Sequence, residues 1–279
     1  MNCVQSSLRS CNSELRDGDA LVLVGTGRVA TQLGLALRRA GVAIRGVYGR
    51  NEKKASLLAS RLASSVYAGV VDPTAALEQL PQGAVYLFCV ADDSILPLAE
   101  QWDALAGTII HTSGSVPLPR LPHSRTGVFY PLQTFSAERD VDLSQTHFFV
   151  EGSDAEVVDM LSAWARRLSH VEPVRLDSAQ RQWLHLLGVL SNNFTNALLV
   201  EVQRMAVAHQ LPFDAFEPLL AETLTKAFAL SPLAAQTGPA RRGDEQTLAR
   251  HRALLADTPS LRQLYDLFTA LIQAQDAKP

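Results

Sequence analysis

Ala20-Leu-Val-Leu-Val-Gly-Thr-Gly-Arg-Val-Ala-Thr-Gln-Leu-Gly-Leu-Ala-Leu-Arg-Arg-Ala-Gly41 decides the fold. Ala20–Val24 is an unbroken apolar run between Gly18 and Gly25, the pattern of a parallel strand buried on both faces. From Val29 to Ala40 the period becomes helical: Val29, Leu33, Ala36, Leu37 and Ala40 share one face, and Gly41 ends the segment. Between strand and helix stands Gly25-Thr-Gly-Arg-Val-Ala30, which fits G-x-G-x-x-G/A in the context that gives the motif meaning. Gly25 permits the tight turn, Gly27 lets backbone approach a pyrophosphate, and Ala30 keeps the helix close to the strand. The free N–H groups and positive end of the helix favour phosphate. A nicotinamide dinucleotide is the expected ligand, held at Gly25, Thr26, Gly27, Arg28 and Val29.

The next strand, Val42–Tyr48, chooses between NAD and NADP. An NAD site usually carries Asp or Glu at this strand's end, on the ribose 2′-hydroxyl. No acid occurs from Gly25 through Asn51; the strand runs into Tyr48-Gly-Arg-Asn51, followed by Lys53 and Lys54. Arg50 suits a forked contact to a 2′-phosphate, and Asn51 adds a neutral hydrogen bond. NADP is therefore expected ahead of NAD.

Strands and helices alternate onward. A helix is expected over Glu52–Leu62, a short strand near Val66, a helix over Thr74–Leu80 and a buried strand over Ala84–Val90. Asp93 is expected to cap the next helix, kept short or irregular by Pro97. Thr108–His111, Val128–Tyr130 and His147–Val150 read as further strands. The pattern is a doubly wound α/β Rossmann-type parallel sheet. Val90, Ala91 and Asp93 end the fourth strand, and Thr112 and Ser113 follow the fifth. Such carboxyl edges are where open α/β sheets bind ligands, and small residues there leave room for the nicotinamide ribose.

Beyond Asp177 the strand signals stop. Asp177–His209 is one proline-free helical pattern, followed by helical segments over Phe213–Leu230, Asp244–Ala256 and Pro259–Gln275. The expected organisation is an N-terminal extension over 1–17, a dinucleotide-binding domain over 18–176 and an all-α domain over 177–279 for dimerisation and substrate binding. The 279 residues suit one large or two small domains.

Apolar residues make up 47% of the chain and charged residues 19%, a globular balance, and the net charge of −3 carries no basic footprint for nucleic acid. No apolar stretch approaches the roughly 20 residues of a membrane span, and the polar first residues are no secretory signal. Cys3, Cys11 and Cys89 lack the spacing of a disulfide framework or a zinc site, so a reducing cytoplasm and no metal are expected.

Gly25-Thr-Gly-Arg-Val-Ala30, His111-Thr-Ser-Gly114, Tyr130-Pro-Leu-Gln-Thr-Phe135, Ser191-Asn-Asn193 and Thr237-Gly-Pro-Ala-Arg-Arg-Gly-Asp244 together resemble a known family. It is the family of Rossmann-like oxidoreductases with a helical C-terminal domain of unknown function. The family is similar in plan to pyrroline-carboxylate reductase, the deazaflavin-linked NADP reductases and the 6-phosphogluconate dehydrogenase group. The resemblance spans nearly the whole chain after residue 18. It implies a homodimer, a nicotinamide cofactor and a small-molecule substrate in a cleft between the domains.

Hydroxyacid dehydrogenases protonate their carbonyl with a lysine about one turn from an asparagine. Here Gly188 precedes Asn192 by four residues and Val189 precedes Asn193, and no lysine occurs between Lys54 and Lys226. On an unbroken helix His185, Gly188, Asn192 and Asn196 would form one polar face. His185 is then the proton donor of choice, since an imidazole titrates near neutrality; the bland reading is a packed histidine. Tyr130 and Gln133 follow the sixth strand and line the expected cleft, where Tyr130 donates a proton or packs. Asn192 joins His185 and Tyr130 as a candidate catalytic group, and Asn193 falls to the substrate. Arg241 and Asp244 read either as a substrate anion clamp or as helix punctuation, with Asp244 the cap. The missing lysine leaves a second function open: a dinucleotide-binding sensor or assembly module without turnover.

Overall fold

The computed structural model describes residues 21–68, 80–136 and 139–276. The N-terminal extension and all but Leu80 of the helix expected over Thr74–Leu80 lie outside the described residues. The chain divides into two compact units, with the division between Val189 and Leu190.

The first unit is a sheet wrapped by helices. Its strands are β1 (Leu21–Val24), β2 (Ile44–Gly49), β3 (Ser65–Ala68), β4 (Val85–Phe88), β5 (Thr108–His111), β6 (Arg125–Pro131), β7 (Phe148–Gly152) and β8 (Val174–Arg175). Its helices are α1 (Arg28–Arg39), α2 (Glu52–Leu62), α3 (Asp92–Trp102), α4 (Ala155–Leu168) and α5 (Ser178–Gly188). The strand order is β3-β2-β1-β4-β5-β6-β7-β8. This is the Rossmann order extended at one edge, with the crevice-forming reversal between β1 and β4. All four residues of β1 are buried, as its unbroken apolar run requires.

Two apolar clusters flank the sheet. Leu21, Leu23, Leu33 and Leu37 belong to one, and Val22, Val24, Phe88 and Trp102 to the other. Trp102 sits edge-on to Tyr48, Tyr86 and Phe88, with ring centroids 5.1–5.4 Å apart.

The sheet is parallel, as expected, at every described pair but one. β7 runs antiparallel to β6, because no described helix crosses over between them. A parallel neighbour needs such a crossover; without one the chain turns back beside the strand it has just left.

The second unit is helical: α6 (Phe194–Ala208), α7 (Phe216–Leu230), the short α8 (Pro232–Ala235) and α9 (Pro239–Arg242), α10 (Glu245–Leu254) and α11 (Pro259–Asp276). The single helix expected over Asp177–His209 is instead α5 and α6 separated by a π turn, Val189–Asn193. A π turn inserts a residue into the α-helical period, so the row of His185, Gly188, Asn192 and Asn196 drawn on an unbroken helix does not hold. Among the described residues, no helix is long and apolar enough to cross a membrane.

Candidate active site

The carboxyl ends of β1, β2 and β4 surround a cavity of about 860 Å³. The loop after β1 contributes Gly25, Thr26 and Gly27; the end of β2 contributes Tyr48, Gly49, Arg50 and Asn51. Val90 and Ala91 enter after β4, and Asp93 from α3. Lys54, Cys89, Ser94, Pro97, Leu98 and Gln101 complete the lining and were not named as site residues from the sequence. Lys54 stands four residues after Arg50, in the first turn of α2.

The glycines divide by cause. Gly25 has φ +116°, and a side chain there would run into the Cys89 carbonyl oxygen. Its amide donates to the Tyr48 carbonyl at 2.8 Å, which fixes the turn. Gly27 has φ −80°, open to any residue, and a Cβ there would meet nothing within 4 Å. The chain itself does not need glycine at 27.

Three helices start at this edge, and only α1 has neither a capping side chain nor an acid in its first turn. It starts at Gly27, which leaves its N–H groups for an anion. α3 carries Asp92 and Asp93 in its first turn. The capping role expected of Asp93 is corrected: Ala91 holds the cap position and no side chain caps it. Pro97 does not cut α3 short, since inside the helix it removes only the bond to the Asp93 carbonyl.

Arg50 in the lining is exposed; Arg28 and Val29 do not line the cavity, Arg28 being exposed and Val29 packed against the core. The Asn51 side-chain oxygen caps α2 through the Lys54 amide at 3.0 Å, which leaves its NH2 group to donate. Cys89 is a buried thiol whose burial pushes its pKa up to about 12. Thr112 and Ser113 do not line the cavity. The Thr112 hydroxyl donates to the Phe88 carbonyl at 3.3 Å, and the Ser113 hydroxyl accepts from the amides of Ser115 and Val116 at 3.1 Å.

A second group of polar residues assembles on the loop after β5. The Tyr130 hydroxyl, at the end of β6, lies 3.1 Å from His185 Nδ1 on α5. Burial raises the Tyr130 pKa above its ordinary value, and the nearby charge of Arg181 offsets part of the rise. The buried ring of His111 takes an Nδ1 bond from the Ser113 amide at 3.2 Å and places Nε2 3.3 Å from the Pro117 carbonyl. Burial first, and the Arg181 charge second, lower its pKa to about 4. His111 is thus a neutral, packed residue.

Arg181 holds this region together, and its role was missed in the sequence. Its side chain is 1% exposed and pairs with Glu151 on β7, while its second terminal nitrogen donates to the Val116 carbonyl. Ser178 donates to both Glu151 carboxylate oxygens at 2.9 and 3.0 Å and accepts from the Leu118 amide at 2.9 Å. Gln182 donates to the Ser115 carbonyl at 2.9 Å. α5 itself begins with a capping box between Asp177 and Gln180. The signal was present: Arg181 precedes His185 by four residues, on the same helical face.

Gln133, Arg241 and Asp244 have local partners. Gln133 bonds to the Thr146 hydroxyl at 3.3 Å and the Thr134 amide at 2.8 Å. Asn192 and Asn193 are exposed in the π turn. Arg241 donates to the Leu233 and Gln236 carbonyls at 2.7 and 2.9 Å, and Asp244 caps α10 through the Thr247 amide at 3.1 Å.

Strand order, glycine loop and cavity define a Rossmann-type dinucleotide-binding protein with a helical C-terminal region. Residues 146–272 match a family described as Domain of unknown function (DUF2520). A crystal structure of a "putative NADP oxidoreductase" from Bacteroides fragilis is 36% identical, with a TM-score of 0.80 over 92% of this chain and 99% of that one. The chain belongs to this family of Rossmann-type oxidoreductases with a helical C-terminal domain of unknown function. Two more distant structures share the fold. A pyrroline-5-carboxylate reductase from Coxiella burnetii is 14% identical, with a TM-score of 0.53 over 93% of this chain and 97% of that one. A reductive aminase from Aspergillus terreus, solved with NADPH and ethyl levulinate, is 16% identical, with a TM-score of 0.60 over 92% and 93%. No curated protein sequence matches the chain.

Proposed function

We propose that the protein is an NADP(H)-dependent oxidoreductase acting on a C=O or C=N bond of a small polar molecule. Gly27 carries this reading: an unstrained glycine beside an open cavity, at the uncapped end of α1. Arg50 and Lys54, with no acid at the end of β2, suit the 2′-phosphate of NADP. Bound there, the nicotinamide supplies or takes up the hydride. His185 donates the proton, and Tyr130 orients its ring. Asn192 is the third candidate catalytic group, and Gln133, Asn193, Arg241 and Asp244 are the candidate substrate contacts.

The functional unit is a homodimer formed through the helical region. α7 buries none of its side chains, and Phe228 is 91% exposed beside exposed Leu224 and Leu230. The buried thiol of Cys89 suits a reducing cytoplasm. Light scattering on Phe228→Asp tests the dimer, with a monomer as the expected result.

Calorimetric titration with NADPH and NADH tests the cofactor. NADPH is expected to bind about tenfold tighter, a preference that Arg50→Ala abolishes. Binding of neither ends the oxidoreductase reading. NADPH binding without turnover across imines, 2-keto acids and aldehydes would favour the sensor instead.

A further inference from the structure

We propose that Gly114 is a positioning residue: its missing side chain lets His185 seat against the loop after β5 and bond to Tyr130, which fixes the imidazole proton on Nε2. The inference deepens, and rests on, the reading of His185 as the proton donor.

A Cβ at Gly114 would lie 2.5 Å from His185 Nδ1, 2.7 Å from its Cγ and 2.8 Å from its Cβ. Gly114 is buried and its φ is not positive, so its own backbone conformation does not demand glycine. The demand comes from the histidine. The contact reaches the root of the His185 side chain as well as its ring, so a rotamer change alone cannot relieve it. Nor is α5 free to retreat. Arg181 ties it to Glu151 and the Val116 carbonyl, Ser178 to the Leu118 amide, and Gln182 to the Ser115 carbonyl. All but Glu151 of these partners lie within four residues of Gly114, so loop and helix form one packed piece. A methyl group at 114 therefore forces a local shift of loop against helix at His185, which carries the imidazole off the Tyr130 hydroxyl.

That displacement has a chemical consequence. Burial favours the protonated phenol of Tyr130. Against a neutral imidazole the phenol donates, Nδ1 accepts, and the one ring hydrogen stays on Nε2; when Nε2 gives that hydrogen to the substrate, Nδ1 takes the phenol's, and the phenolate is reprotonated from solvent. Moved off the hydroxyl, the ring samples both tautomers and loses its aim.

Long-range proton–nitrogen spectra of the full chain, labelled in its histidine rings, read this directly. The His185 signals are assigned with His185→Gln and recorded well above the histidine titration range. The wild type is expected to show a single tautomer with hydrogen on Nε2. Gly114→Ala and Tyr130→Phe are each expected to give averaged ring shifts. NADPH affinity should stay within about twofold, while turnover falls about tenfold or more. Should Gly114→Ala fold poorly, a thermal-unfolding cycle in the His185→Gly background decides: there the three atoms nearest the added methyl are gone, and it should cost less. Failure of the proton-donor reading registers separately, as undiminished turnover in His185→Gln. A wild-type tautomer signature in Gly114→Ala, or equal losses of Tm in both backgrounds, would overturn the inference.

Discussion

Gly27 follows β1 and Gly114 follows β5, and neither glycine is required by its own φ. Yet the space each leaves is used differently. The missing side chain of Gly27 opens onto a cavity, while that of Gly114 is filled by His185. Gly25 differs from both, since its positive φ and the Cys89 carbonyl oxygen demand glycine whatever binds. A glycine at a strand's carboxyl end can thus serve the backbone, a ligand or a distant side chain. Only the surroundings tell which.

Substitutions that separate the three come first. Gly25→Ala should have the largest effect, because left-handed strain adds to a backbone collision, at a cost of about 3 kcal/mol or more. Thermal unfolding should show a large loss of Tm even without cofactor. A normal Tm would mean that the turn tolerates a side chain, and the contrast with Gly27 would fall.

The loop that carries Gly114 opens at His111, and pH tests how firmly that loop is built. Both ring nitrogens are already engaged, so a second proton has no acceptor. The His111 pKa falls from 6.5 to about 4 in the fold, through burial and then the Arg181 charge. Between those values the unfolded chain binds a proton that the folded chain refuses. Stability from this group is therefore complete above about pH 6.5 and lost as pH falls towards 4. The loss approaches about 3 kcal/mol. Denaturant unfolding of His111→Asn should show a shallower acid slope than the wild type; parallel slopes would remove His111 from the account.

Gly27→Val should leave Tm unchanged and weaken NADPH binding about a hundredfold, or about 2.7 kcal/mol. This is the reverse of the Gly25→Ala profile. A drop in Tm with intact affinity would show that the chain, not a ligand, needs the glycine.

The same contrast explains what could be read in advance. β1, the glycine loop and α1 are contiguous, so their periods and turn chemistry lie in one stretch of sequence. Arg50 follows because the end of β2 sits at a known distance along it. Tyr130 and His185 were each legible as chemistry, but their pairing depends on how α5 seats on the sheet. Gly114 stood in His111-Thr-Ser-Gly114 with no visible reason, because the reason is residue 185. The antiparallel β7 was hidden for a related cause: alternation fixes which residues face the core, not which way a strand runs. The π turn left no mark, since Val189-Leu-Ser-Asn-Asn193 contains no proline or glycine. α4 was overlooked although Asp154 caps it through the Val157 amide at 3.0 Å.

The smallest effect belongs to Lys54, in the first turn of α2. Its ammonium is a point charge on a flexible, exposed stem, whereas Arg50 presents a planar fork. A point charge near water acts through a field that salt screens over about 8 Å at physiological strength. Lys54→Ala should therefore weaken NADPH about threefold at low salt and hardly at all at high salt. NADH, without the 2′-phosphate, should not respond at either. The loss from Arg50→Ala should persist in salt, because paired hydrogen bonds depend on geometry as well as charge. Equal salt sensitivity in both variants would mean that Arg50 also acts only as a charge. The preference for NADP would then come from the potential around the end of β2 rather than from a fitted contact.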